Sequence, residues 1–108
     1  MLTITDRWEG PVAYLVLAGE LDLLTGVDLL AATEKVSEAT EIIVDCHELR
    51  FCDSSGIGTL LQARESARAA GADLRLTGVT GLVHRVLLVT GVLTELTGEG
   101  PISDQPPR

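Results

Sequence analysis

Apolar runs with strand character alternate along this chain with stretches of helical spacing. That alternation restricts it to one architecture, an α/β sheet whose parallel strands are joined by right-handed crossover helices. Leu2, Ile4 and Trp8 are separated by polar residues, the pattern of a strand with one wet face. Glu9-Gly10-Pro11 is a turn signal, and Val12 to Ala18 follows as a near-continuous apolar strand. A connection this tight predicts an antiparallel hairpin, which makes the small sheet mixed. Gly19-Glu20-Leu21-Asp22 reads as a loop. Thr25 with Asp28 has capping-box spacing, with Asp in place of the usual Glu, and Val27, Leu30 and Ala31 continue a helix to about Ser37. Glu41 to Cys46 is a short β-branched strand whose polar end at Asp45 leads into a loop through Arg50. A second helix is expected from Ser54 to Ala70, stopped by Gly71. Asp73 to Thr77 alternates as a strand, and a third helix runs from about Thr80 to Thr90, closed by Gly91. Val92-Leu93 starts a last short element, so the expected order is ββαβαβα with all crossover helices able to share one face.

At 108 residues the chain is one domain. Its ordered part is expected over residues 1–97. Residues 98–108 hold two glycines and three of the four prolines, and read as a flexible tail. Aromatic residues make up only 3%, so the core must be aliphatic and stacking platforms for bases are not expected. The formal net charge of −8 argues against nucleic acid and against anionic membrane surfaces, since both need clustered Lys and Arg. No basic segment precedes an apolar run at Met1 to Arg7, and no apolar stretch is long enough to span a bilayer. A cytoplasmic location is therefore expected, with Cys46 and Cys52 as reduced, buried small hydrophobes.

The stretch from Leu49 to Leu61 is the most unusual. Asp53-Ser54-Ser55-Gly56 meets a helix start, where the first four N–H groups lack intrahelical partners. Asp53 or Ser54 can cap them. Gly56 and Gly58 each cost a helix about 1 kcal/mol relative to Ala, so close approach of another backbone or of a ligand is needed to explain them. The plain alternative is a serine-rich cap with glycines for tight packing.

The sequence resembles the anti-sigma factor antagonist family, the STAS domain. The resemblance rests on Gly19-Glu20-Leu21-Asp22, on Asp45 at a strand end, and on Phe51-Cys52-Asp53-Ser54-Ser55-Gly56-Ile57-Gly58-Thr59-Leu60. Gly71-Ala72-Asp73-Leu74 and the run from Arg85 to Val92 also fit, so the likeness extends to about residue 97. It implies that the second serine of the run, Ser55, is phosphorylated by a partner that is both anti-sigma factor and serine kinase, with Ser54 as the alternative. It implies further that the unphosphorylated form binds that partner and frees the sigma factor, and that a serine phosphatase reverses the modification. Asp22 is expected near the phosphoserine. The expected partner surface comprises Asp22, Asp53, Ser54, Gly56, Gly58, Thr59 and Gln62.

Phosphate adds about −1.5 to −2 charge, which a helix N-terminus tolerates, so the modification is expected to act on the complex and not on the fold. Asp45-Cys46-His47-Glu48 with Cys52 matches no zinc spacing, so no metal or other cofactor is expected. Gly-x-Ser-x-Gly is absent, Gly56-x-Gly58 lacks a lysine partner, and His84 reads as a surface residue, so no catalysis is expected. Two other functions compete: a non-switching STAS scaffold or transporter-accessory subunit, and a domain binding a small anionic ligand or nucleotide.

Overall fold

The computed structural model describes residues 1–98. The expected tail lies outside the described residues beyond Gly98. The elements are β1 (Leu2–Glu9), β2 (Val12–Leu21), α1 (Gly26–Lys35), β3 (Glu41–Cys52), α2 (Ser54–Ala69), β4 (Asp73–Thr77), α3 (Gly81–Thr90) and α4 (Leu93–Thr97). The sheet order is β1-β2-β3-β4, with β1 antiparallel to β2 and the other pairs parallel. The hairpin, the crossovers and their order are those expected. α4 is the last short element; five residues make no stable helix alone, and it is held by its buried Leu93 and Leu96.

The register assigns the two faces. Ala13 pairs with Ile42 and Ile42 with Leu74; Leu15 pairs with Val44 and Val44 with Leu76. All six are buried and join one core with Leu29, Leu60, Val83, Leu87 and Leu96 from the four helices. The helices therefore share this face. Each fully buried leucine contributes about 1.5–3 kcal/mol, and the largest fully buried side chains here are all Leu, Ile or Val, so the burial comes from aliphatic residues. On the other face Tyr14 is half-buried and Arg75 exposed, and the Arg7 guanidinium lies 4.1 Å from the centre of the Tyr14 ring.

Four expectations are corrected. Gly19 to Leu21 is strand and not loop, and β3 runs on to Cys52 instead of ending at Cys46. The cause is a pair of register shifts: Val16 and Ala18 face Asp45 and Glu48, and Gly19 and Glu20 face Leu49 and Phe51. Each shift puts one extra residue into β3. Its buried positions, Cys46, Leu49 and Cys52, then recur every third residue and lose the two-residue alternation that marks a strand. Finally, α1 ends at Lys35, and Thr25 makes no capping hydrogen bond.

Candidate functional site

The extended strands bring two helix starts together. Leu21 and Cys52 pair at the carboxyl ends of parallel β2 and β3, and the Asp53 N–H donates to the Leu21 carbonyl at 3.3 Å. The next residues on each side, Asp22 and Asp53, open the loop into α1 and the turn into α2.

At α2, Asp53 is the cap. Its Oδ1 accepts from the Gly56 N–H at 2.8 Å, and its carbonyl accepts from the Ile57 N–H at 3.0 Å. Ser54 is the first helical residue, so the choice between the two falls to Asp53. The N–H groups of Ser54 and Ser55 have no acceptor among the described residues, and neither do their hydroxyls. Ser54 is exposed and Ser55 half-buried. The Ser55 carbonyl accepts from Thr59 Oγ1 at 3.0 Å.

The two glycines separate. A methyl group on Gly56 would sit 2.5 Å from the Leu21 carbonyl oxygen and 2.8 Å from Cys52 Sγ. Backbone approach thus explains Gly56. Gly58 is exposed with no atom near the place of its missing side chain, so nothing in the fold requires it. Thr59 is half-buried against α1: a methyl on Gly26 would lie 2.6 Å from its Oγ1. Gln62 is exposed one turn further along α2.

At α1, Asp22 and Thr25 serve the loop. Asp22 Oδ1 accepts from the N–H groups of Leu24 and Thr25 at 3.0 Å and from Thr25 Oγ1 at 3.1 Å. Thr25 Oγ1 also contacts the Glu20 carbonyl at 3.0 Å and the Asp22 N–H at 2.9 Å. The Thr25 backbone bond, followed by the other loop bonds, holds the Asp22 carboxyl below its usual range against the opposing effect of desolvation. This loop leaves Leu23, Leu24 and Val27 exposed by 75, 83 and 66%. Leu24 and Val27 make this loop and helix start more apolar than a polar partner surface would suggest, a feature visible in the sequence, and Leu23 adds to it.

The corner between β3 and β4 differs. His47 Nδ1 lies 2.8 Å from Asp45 Oδ1, which also accepts the His47 N–H at 3.1 Å. That hydrogen bond raises the His47 pKa. Burial pushes both Cys46 and Cys52 thiols up to about 12, so neither is a ready nucleophile. No metal-binding cluster of three or more His, Cys, Asp or Glu occurs among the described residues. Nor is any described helix long and apolar enough to cross a membrane.

A family model described as Mlab, STAS domain matches residues 4–98. An anti-sigma-B factor antagonist of Listeria monocytogenes is 30% identical over 80 residues, covering 72% of this chain and 70% of that protein. Among solved structures, an anti-sigma factor antagonist from Mycobacterium paratuberculosis superposes with a TM-score of 0.76 at 19% identity, covering 94% of this chain and 86% of the other. The antagonist SpoIIAA in its unphosphorylated form gives 0.74 at 22% identity, with 94% and 90% covered. The Bacillus protein in its phosphorylated form gives 0.67 at 21%, with 94% of each chain covered. With the model spanning nearly all the described residues and a relative this similar over most of both chains, the chain belongs to the STAS domain family of anti-sigma factor antagonists.

Proposed function

We propose that this domain is a phosphorylation-controlled partner switch. Its unphosphorylated form binds an anti-sigma factor that is also a serine kinase, and so frees the sigma factor. Phosphorylation of Ser55 ends that binding, and a serine phosphatase restores it. The observation that carries the reading is the start of α2. Two serine hydroxyls and two backbone N–H groups stand there without partners among the described residues, beside the Asp22 loop. The likeness to SpoIIAA, known in both phosphorylation states, supports it.

The charge argument gives the direction. A dianion at a helix N-terminus gains about 0.3–1 kcal/mol, so phosphate at Ser55 leaves the fold intact. Asp22 and Asp53 are carboxylates beside it, and a partner shaped for a hydroxyl must accept the added charge without water. A loss of about 3 kcal/mol in binding, near a hundredfold, is enough for on/off exchange.

The test is incubation with the anti-sigma factor serine kinase of the same organism and ATP, followed by peptide mass spectrometry. Phosphate on Ser55 is expected; phosphate on Ser54, or on neither serine, overturns the assignment. Ser55→Ala is expected to bind the kinase constitutively and Ser55→Asp weakly. Equal binding of the phosphorylated and unphosphorylated forms overturns the switch.

A further inference from the structure

Three large aliphatic side chains, Leu23, Leu24 and Val27, stand in solvent within five residues of chain. Exposed apolar side chains in such a cluster mark contact sites when the backbone beneath them is fixed. Here it is fixed: three backbone N–H groups of the loop that carries the leucines, those of Asp22, Leu24 and Thr25, donate to Thr25 Oγ1 or Asp22 Oδ1, and the single Thr25 hydroxyl proton is shared between Asp22 Oδ1 and the Glu20 carbonyl. The cluster adjoins the α2 start, because Gly26 packs against Thr59. It also leads into a groove of about 370 Å³ between α1 and α2, lined by Leu30, Glu34, Ser37, Gln62, Ser66 and Ala70. Leu30 and Glu34 lie three and seven residues beyond Val27, and Gln62 and Ser66 four and eight beyond Gly58. At helical spacing each set forms one stripe, so the two stripes run from the leucines and the bare backbone of Gly58 into the groove.

The charge along this track is of one sign. Asp22 borders the leucines and Glu34 lines the groove. The nearby cations are turned elsewhere: Lys35 borders the cleft beside β1, and Arg64 pairs with Glu95 at 3.5 Å.

We infer that Leu23, Leu24 and Val27 are the hydrophobic anchors of the anti-sigma factor complex, seated in an apolar pocket of the partner whose rim is basic, with the contact continuing along the α1–α2 groove. The inference rests on the partner-switch reading and adds the chemistry of the surface the partner must present. It also gives Gly58 a purpose: an absent side chain on the track lets the partner close on the α2 backbone.

The experiment is calorimetric titration of the unphosphorylated domain with the serine kinase used above, alongside the Ser55 phosphorylation assay. Leu23→Ser combined with Leu24→Ser is expected to weaken binding by about a hundredfold. Leu24→Ala alone covers the case in which the double variant fails to fold, and is expected to weaken binding about tenfold. Glu34→Gln is expected to weaken it a few-fold at low salt and not at high salt. Val89→Ser, which removes an equally exposed aliphatic from α3, is the control and is expected to bind as the parent does. Phosphorylation of Ser55 with binding of the leucine variants within twofold of the parent overturns this inference and leaves the switch standing. So does an equal loss in Val89→Ser. A kinase that neither binds the domain nor modifies Ser55 overturns both.

Discussion

The helices α1 and α2 begin at the same topological place, the carboxyl ends of neighbouring parallel strands, yet their first turns are built for opposite purposes. At α2 the cap residue faces the helix: Asp53 takes the Gly56 N–H and leaves the serine hydroxyls and two N–H groups without partners among the described residues. At α1 the residue in the cap position, Thr25, turns away and ties the loop to Glu20 and Asp22. One corner thus offers hydrogen-bonding groups, and the other offers apolar side chains on a fixed loop. The difference shows that a capping sequence does not determine a capping role. Thr25 finds a strand carbonyl and an aspartate within reach, and those bonds replace the cap.

The largest effect should separate the two glycines of α2. Gly56→Ala forces a methyl group against the Leu21 carbonyl and Cys52 Sγ. It is expected to cost about 1–3 kcal/mol, the usual range for overpacking. Gly58→Ala meets open space and is expected to stabilise by about 0.5–1 kcal/mol through helix propensity alone. Urea unfolding of both variants measures this. Equal effects would break the claim that only Gly56 is a packing requirement. A stabilised Gly58→Ala that also loses kinase affinity would sharpen the contrast, since it assigns Gly58 to binding.

A smaller effect distinguishes the caps. Asp53→Ala is expected to cost about 1 kcal/mol, as removal of a helix cap does. Thr25→Val loses hydrogen bonds of similar total worth, about 1–2 kcal/mol. The totals are close, but the places differ. Amide exchange should quicken at Gly56 in Asp53→Ala and at Asp22 in Thr25→Val, because those N–H groups lose their acceptors. Faster exchange at Gly56 in both variants would mean that the two corners open as one unit.

The same contrast explains what the sequence made legible. Element order, the hairpin and the helix-side core were readable, because Leu15, Val44, Leu60 and Leu87 sit on patterns that local period alone defines. The start of α2 was readable as a cap with two unexplained glycines. What was not readable came from tertiary pairing. The extra residues in β3 hid its second half, so the pairing of Leu21 with Cys52 that sets Asp22 beside Asp53 was not readable, although the family resemblance implied that Asp22 lies near Ser55. The division of Gly56 from Gly58 also needed three dimensions, since only the neighbouring strand distinguishes them. The role of Thr25 was misread for the same reason, its partner Glu20 being strand and not loop.

The smallest predicted effect lies at the third such corner, where β4 ends. Thr77 pairs with Asp45, and the turn at Gly78 packs on His47. No serine or exposed aliphatic cluster occurs at the α3 cap. Instead an imidazole and a carboxylate meet at 2.8 Å on the surface. The hydrogen bond to Asp45 raises the His47 pKa. Asp45 itself is raised by partial burial but lowered by more through the bonds from His47, and its net shift is downward. A raised folded-state value makes the histidine contribution complete below its unfolded pKa, about 6.5, and lost as pH rises through the folded value. A lowered carboxyl contributes above its unfolded value, about 3.9, and loses that as pH falls. The pair therefore stabilises most in mildly acid solution, and only slightly, because His47 is exposed. Imidazole proton NMR should give His47 an apparent pKa raised above its ordinary value, and a lower one in Asp45→Asn, where only the weaker effect of Glu48 still raises it. The urea midpoint should fall a little from pH 6 to pH 8 in the parent and less in Asp45→Asn. If kinase binding followed that same titration, the third corner would belong to the partner surface, and the division of labour between the α1 and α2 starts would have to be redrawn to include it.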